Sequence, residues 1–385
     1  MQVYSSTELT ADIIDWPVYM RQAIALARSV ITATPNPRVG CVVVKDGQVV
    51  GEGWHSAAGQ AHAEIVALRD AGDESTAATV FVTLEPCAHT GRTGPCAEAL
   101  VRAGVKQVVI AGIDPNPAVA GNGVAILEAA GIEVCHLLDF EQDARELNRG
   151  YFKRRLLGLP FVRCKLAMSL DGRTALGNGA SKWITGAAAR ADVQLLRAQS
   201  SAVVTGIGTV LADNPSMNVR AAELPLTELD LERNALALSR QPLRVILDSQ
   251  LRTPKLARIL NTEGRAVIYT RELVAGQLAL ANNVELRDLS ASEPGAALHS
   301  VLESLASEFE CNEILVEAGS TLSTAFIEAG LVDELIVYIA PKLIGRDGRA
   351  LVEISGLSAM SATRNFSIVN LALIGADIRV TLVPK

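Results

Sequence analysis

The chain has 385 residues, 49% of them hydrophobic and 4% aromatic, and carries a formal net charge of −7. At roughly 100–200 residues per domain, that length makes two domains, or three. The acidic balance argues against nucleic acid as a partner, and no apolar stretch is long enough to span a bilayer. A soluble, cytoplasmic protein with no nucleic-acid or membrane partner is therefore expected.

Met1 to Asp15 is polar and acidic and lacks the apolar core of a signal peptide. Pro17 to Val30 repeats apolar residues three and four apart and is predicted helical. After the loop Thr34-Pro35-Asn36-Pro37, strands are predicted at Gly40 to Lys45 and Val49 to Trp54, joined by a tight Asp46-Gly47 turn. His62 to Ala71 reads as a helix closed by Gly72, Val80 to Leu84 as a strand, and Cys96 to Ala103 as a helix ending at Gly104. Val108 to Ala111 (strand), Val124 to Ala130 (helix) and Glu133 to Leu137 (strand) complete an alternating α/β series. Phe140 to Leu156 looks like one charged helix leading to a linker at Gly158-Leu159-Pro160. A second α/β series follows, with strands at Phe161 to Ala167, Ala202 to Thr205, Leu243 to Leu247, Ala266 to Tyr269, Glu313 to Val316 and Glu334 to Ile339. Its helix is predicted at Ala187 to Gln199, and a terminal hairpin at Phe366 to Leu373 and Asp377 to Val383. Ala221 to Gln241 is polar and is expected to be a surface loop.

Six cysteines spread along this length do not suggest a disulfide framework. Cys41, Cys135, Cys164 and Cys311 lie in or beside apolar runs and read as buried thiols. Cys87 and Cys96 sit instead in polar surroundings next to Pro and Gly. With His62 they offer an imidazole and two thiolates, donors suited to tetrahedral zinc, and three protein ligands leave the fourth position to water. Glu64 is the group expected to take a proton from that water and return it to a leaving ammonia. Residues two apart can both aim at one metal only at a helix entry, which follows Gly59-Gln60-Ala61 here. Cys96 likewise opens a helix, whose N-terminus favours a thiolate. His-x-Glu followed by Pro-Cys and a later Cys is the pattern of zinc deaminases. In its commonest form two residues separate the cysteines; here eight do, Ala88 to Pro95, and they include His89 and Arg92.

The segment from Pro17 to Gly150 resembles the deaminase domain of the bifunctional deaminase–reductase family of riboflavin biosynthesis. The strings that carry the likeness are Thr34-Pro35-Asn36-Pro37-Arg38-Val39-Gly40, Gly53-Trp54-His55, His62-Ala63-Glu64, Leu84-Glu85-Pro86-Cys87-Ala88-His89, Gly91-Arg92-Thr93-Gly94-Pro95-Cys96 and Asp114-Pro115-Asn116-Pro117. The resemblance implies that Asn36, His55, His89, Arg92, Asp114 and Asn116 line a pocket for a pyrimidine and its ribose phosphate. Asn and Asp suit amide and amino edges, and Arg and His suit phosphate. Without the resemblance, Asn36, Asp114 and Asn116 would read as ordinary turn residues beside proline.

The second half has no Gly-x-Gly-x-x-Gly after a strand. It has Lys165 to Arg173, Ser181-Lys182-Trp183-Ile184-Thr185, Thr205 to Pro215, and Glu317-Ala318-Gly319-Ser320-Thr321-Leu322 before a helix, where backbone N–H groups can meet a phosphate. In this order these strings resemble the reductase domain of the same family, with a fold similar to dihydrofolate reductase. The resemblance implies NADPH, contacted by Ala167, Trp183, Thr209, Asp213, Ser249, Gly319, Ser320 and Thr321, and a substrate contacted by Lys165, Ser181, Arg197, Met217, Arg220 and Glu317. Ala318-Gly319-Ser320 departs from the more glycine-rich turn common in the family.

The expectation is thus a cytidine-deaminase-like three-layer α/β/α domain over 16–157 and a dihydrofolate-reductase-like α/β domain over 158–385. Zn2+ and NADPH are the expected cofactors, phosphorylated pyrimidines the small-molecule partners, and the chain is expected to be a homo-oligomer. Two other readings stay open: a zinc deaminase acting on a base in nucleic acid, and a zinc-stabilised binding protein without catalysis.

Overall fold

A computed structural model describes residues 1–5, 15–88, 94–117, 119–272, 281–291 and 296–385. The chain forms two units: Met1–Gly158 with Glu228–Ala237, and Leu159–Thr227 with Leu238–Lys385.

The first unit runs β1 (Gln2–Tyr4), α1 (Trp16–Arg28), β2 (Gly40–Lys45), β3 (Gln48–Trp54), α2 (Ala63–Ala71), β4 (Thr79–Val82), α3 (Cys96–Ala103), β5 (Gln107–Ile110), α4 (Asn122–Ala129), β6 (Glu133–Leu137), α5 (Glu141–Leu147) and α6 (Arg149–Leu157). Its six strands lie in the order β1-β6-β5-β4-β2-β3, parallel from β1 to β4 and antiparallel across β2 and β3. Asp46 and Gly47 between β2 and β3 both have positive φ, as a tight hairpin turn requires. The two-residue period of the strands divides the core. Val42, Val44, Phe81, Val109 and Cys135 pack on Trp16, Met20 and Ile24 of α1 and Ala144 of α5. Cys41, Val43, Val80, Val82, Val108 and Ile110 pack on Ala63 and Ala67 of α2, Leu100 of α3 and Leu127 of α4. Each such aliphatic side chain, fully buried, contributes about 1.5–3 kcal/mol. Gly53 lets β3 press onto the start of α2, since a Cβ there would lie 2.2 Å from the Ala63 carbonyl oxygen.

The charged segment expected as one helix is broken into α5 and α6 at Asn148. Its side chain accepts from the Arg38 N–H at 2.7 Å and donates to the Arg38 carbonyl at 2.9 Å, a pairing 110 residues distant that a continuous helix would not present.

The second half continues with β7 (Phe161–Ser169), β8 (Arg173–Ala175), α7 (Ala187–Gln199), β9 (Ala202–Gly206), α8 (Ile207–Asp213), α9 (Glu228–Arg233), α10 (Ala235–Leu238), β10 (Leu243–Leu247), β11 (Ala266–Thr270), β12 (Val284–Asp288), α11 (Ala297–Ser307), β13 (Glu313–Glu317), α12 (Ser320–Glu328), β14 (Glu334–Ala340), β15 (Arg349–Ala350), β16 (Phe366–Ile374) and β17 (Asp377–Pro384). Nine strands form one sheet in the order β12-β11-β10-β9-β13-β7-β14-β17-β16, parallel from β12 to β14 and closed by the antiparallel hairpin. Val162, Cys164, Val204, Val245 and Val316 meet Leu302 and Leu305 of α11 and Phe326 of α12. On alternate positions, Leu315, Ile336 and Tyr338 meet Ala189, Val193 and Leu196 of α7. The four cysteines read as buried thiols are buried.

Ala221 to Gln241 is no plain surface loop. It holds α9 and α10, and Glu228–Ala237 belongs to the first unit. Asn234 is 2% exposed; its Oδ1 accepts from the Ile31 N–H at 2.7 Å and its Nδ2 donates to the Ser29 carbonyl at 3.0 Å. The Arg233 guanidinium lies 5.2 Å from the ring centre of Trp54.

Candidate active site

His62 is the N-cap of α2 and has extended backbone, while Glu64 already lies in the first helical turn. This local geometry lets side chains two residues apart face one point. Cys96 is the first residue of α3, and its backbone N–H donates to Cys87 Sγ at 3.3 Å. His62 Nδ1 is 3.5 Å from Cys87 Sγ and 3.3 Å from Cys96 Sγ, and the three donor atoms lie within 4.8 Å of one another. A tetrahedral zinc with bonds of ~2.0 Å to nitrogen and ~2.3 Å to sulfur separates those donors by about 3.5 Å, so the donor set fits the metal. Among the described residues it is the one such cluster of three.

The electrostatics agree with a cation site. Hydrogen bonding from Cys96, reinforced by His62, holds the Cys87 thiol well below its usual range. His62 is raised in turn, chiefly by its hydrogen bond with Cys87. Glu64 is 3% exposed, and burial pushes its carboxyl up against the opposing pull of His62. A buried carboxyl raised in this way suits a group that takes up and returns a proton.

Asn36 and His55 are brought together beside this cluster. His55 Nδ1 faces the Ala61 carbonyl at 3.0 Å and must carry the proton, leaving Nε2 to accept from Asn36 Nδ2 at 3.0 Å. Burial lowers the His55 pKa, and its ring stands edge-on to His62 at 5.1 Å. Both its ring nitrogens are thus engaged, by Ala61 and Asn36. Asp114 Oδ1 accepts from the Asn116 N–H at 2.8 Å and from the Tyr151 hydroxyl at 3.0 Å. Burial raises the Asp114 carboxyl. His89 and Arg92 lie outside the described residues.

Four of the residues expected to hold the reductase substrate converge in the second unit. Arg197 forms two hydrogen bonds to Glu317, Nε to Oε1 at 2.5 Å and Nη2 to Oε2 at 2.9 Å, and its Nη2 lies 3.7 Å from Met217 Sδ. Lys165 is the register partner of Glu317 on the neighbouring strand, and burial lowers its pKa. Arg220 pairs with Glu223 on the surface, and Ser181 is half-buried.

The residues expected at NADPH are spread over several elements. Thr209 and Asp213 lie on α8, directly after β9; Ser249 follows β10, and Gly319 is the N-cap of α12, directly after β13. These are C-terminal ends of adjacent parallel strands, where open α/β sheets bind ligands. Ala167 lies on β7. Trp183 is exposed, with the Arg190 guanidinium 4.6 Å from its ring centre, and Lys182 pairs with Asp213 at 3.8 Å. The hydroxyls of Ser320 and Thr321 donate to Glu353, at 2.6 and 3.0 Å.

Comparison with known proteins gives the family. The cytidine and deoxycytidylate deaminase zinc-binding region matches residues 16–112, and the RibD C-terminal domain matches residues 160–380. The riboflavin biosynthesis protein RibD of Escherichia coli (strain K12) is 45% identical over 370 residues, covering 95% of this chain and 98% of that protein. The chain belongs to the RibD family. RibD of Haemophilus influenzae is 46% identical over 96% of this chain and 97% of that protein. The solved structure of Acinetobacter baumannii RibD, form 2, superposes with a TM-score of 0.87 at 44% identity, covering 97% of this chain and 100% of that one. A Thermotoga maritima structure named as a diaminohydroxyphosphoribosylaminopyrimidine deaminase/5-amino-6-(5-phosphoribosylamino)uracil reductase gives 0.81 at 33% identity, covering 96% and 99%.

The site also rests on residues whose roles the sequence does not signal. Tyr151 holds Asp114. Arg154 donates to the Pro35 carbonyl at 3.0 Å, behind Asn36. Glu85, two residues before Cys87, is buried. Their contacts join segments far apart in the chain, and only the polar residue type was visible beforehand.

Proposed function

We propose that the first unit hydrolyses the C2 amino group of 2,5-diamino-6-ribosylamino-4(3H)-pyrimidinone 5′-phosphate, and that the second reduces the product with NADPH to 5-amino-6-ribitylamino-uracil 5′-phosphate. The chain is a bifunctional deaminase and reductase of riboflavin biosynthesis, with zinc and NADPH as its cofactors. The observation that carries the first step is the His62–Cys87–Cys96 cluster with buried Glu64 beside it.

His62, Cys87 and Cys96 would hold the zinc, which when bound would make a water a better nucleophile near neutral pH. Glu64 takes the water proton on its carboxylate and returns it to the departing amine, so that water enters and ammonia leaves. Asn36, oriented by His55, and the Asp114–Asn116 turn offer amide and carboxyl groups to the pyrimidine edge. In the second unit the residues at the ends of β9, β10 and β13 would hold NADPH, which when bound would be the hydride donor for reduction of the ring-opened sugar. Lys165, the register partner of Glu317, is the residue assigned to hydrogen-bond the sugar oxygen, a reading supported by its place beside the Arg197–Glu317 pair. Arg197 already spends Nε and Nη2 on Glu317, whereas the Arg220–Glu223 pair is exposed and readily exchanged. Arg220 is therefore the better phosphate partner of the two.

The chain pairs with a second copy of itself. Edge strand β16 leaves Ile368, Leu371 and Leu373 from 66% to 77% exposed, an apolar strip on an open sheet edge.

Metal removal tests the division of labour. A chelated sample should release no ammonia yet still oxidise NADPH on the deaminated intermediate. Ammonia release from metal-free protein would refute the zinc assignment.

A further inference from the structure

Glu85 lies just beyond β4, in the loop that leads to Pro86 and Cys87, and is 3% exposed. Its carboxylate accepts hydrogen bonds from four backbone N–H groups of a distant part of the chain. Oε2 accepts from Asp114 at 3.4 Å and Gly121 at 3.0 Å; Oε1 accepts from Gly123 at 3.0 Å and Val124 at 3.2 Å. Gly123 and Val124 stand in the first turn of α4, where N–H groups have no partner within the helix. The N-cap of α4 is Gly121, which has no side chain to bond them. Glu85 thus caps α4 from about forty residues away, and the helix dipole favours its charge there. The contact is close on a second count. A Cβ on Gly123 would lie 1.9 Å from the Pro86 carbonyl oxygen, so α4 rests on the backbone immediately before a metal ligand.

We propose that Glu85 is a positioning residue of the deaminase. It locks the Asp114–Asn116 turn and the first turn of α4 to the loop carrying Cys87, and so fixes the distance from the metal ligands to the side chains that read the pyrimidine. This rests on the reading above that Asp114 and Asn116 meet the substrate. An isosteric Glu85→Gln replaces one acceptor oxygen with an NH2 group that faces N–H donors. The lock then loses bonds and gains repulsion while the packing volume is kept.

The test uses the full-length, zinc-loaded protein. Glu85→Gln should retain one zinc per chain and a kcat within about threefold of the parent, with KM for the diaminopyrimidine phosphate raised about tenfold or more, the scale of outer-shell effects at metal sites. Amide exchange should accelerate at Gly121, Gly123 and Val124 and stay unchanged in α2. An unchanged KM, or zinc, kcat and KM failing together, overturns the proposal. If Glu85→Gln does not fold, Gly123→Ala carries the test: it keeps the carboxylate but forces α4 off Pro86, and should show the same split, with an unchanged KM again overturning the idea. Asp114→Asn separates the two levels. If it leaves KM unchanged, the substrate reading of the turn fails. If it raises KM while Glu85→Gln does not, only the lock fails.

Discussion

Glu64 and Glu85 are equally buried, yet their partners give them different work. Glu64 is pushed toward the neutral acid by burial, which suits a group that picks up and delivers a proton. Glu85 accepts four backbone N–H groups, which suits a fixed strut. Glu64→Gln should therefore keep zinc and lose deamination by about a thousandfold, within the range of general acid–base contributions. Zinc loss measured by metal analysis, or activity near the parent's, would contradict that role. In the second unit, Arg197→Gln leaves Glu317 without its bidentate partner in a largely enclosed position. Losing one partner of a buried pair costs about 3–5 kcal/mol. Reduction should fail and the unfolding transition of the second unit should shift down, while ammonia release continues; a stable, reducing variant would refute the pairing's importance. The metal triad was legible in the sequence because residue type and spacing there are themselves the chemistry. Glu85 and Asn148 were not, because their partners are backbone groups that only folding brings near.

Among the elements, the central strands of both units were readable as short apolar runs, since β2, β5, β9, β10 and β11 are buried almost throughout, and the helices between them from apolar periodicity. The helix α11 carries the same period in Val301, Leu302 and Leu305 and lies outside the elements predicted from the sequence. The contrary case is Ala221 to Gln241, whose polarity concealed a buried anchor. Asn234→Ala removes the bonds to Ile31 and Ser29 and leaves two backbone groups unpaired, which costs about 1–3 kcal/mol in a buried setting. Thermal unfolding should show the loss in the first unit; no shift would mean that α9 and α10 contribute nothing there. A second elemental device is the Asp171 turn after β7. Its carboxylate accepts from the Ser169 hydroxyl at 2.5 Å and from the Ile344 and Gly345 N–H groups at 3.1 and 2.7 Å, which together hold its pKa down to about 2. Because the folded value lies below the unfolded one, the stabilisation is complete above pH ~4 and fades as the pH falls toward 2. Asp171→Asn should lower stability at neutral pH and make the unfolding midpoint less sensitive to acid between those values. An unaltered acid limb would refute the assignment.

At the scale of the whole molecule, matches to the RibD family cover both halves of the chain, and two chemistries share one polypeptide. The apolar strip on β16 predicts a dimer or larger assembly by light scattering, and Leu371→Lys with Leu373→Lys should shift it toward monomer; a parent protein that is monomeric at micromolar concentration would refute this. The order of the two reactions matters most, because Glu64 and the metal ligands deaminate the pyrimidine before the second unit reduces the sugar attached to it. The most direct measurement follows ammonia and NADPH absorbance together on the diaminopyrimidine phosphate. Ammonia should appear without NADPH, and with NADPH present its oxidation should lag behind ammonia release. NADPH consumption that precedes ammonia, or proceeds without it, would contradict the account.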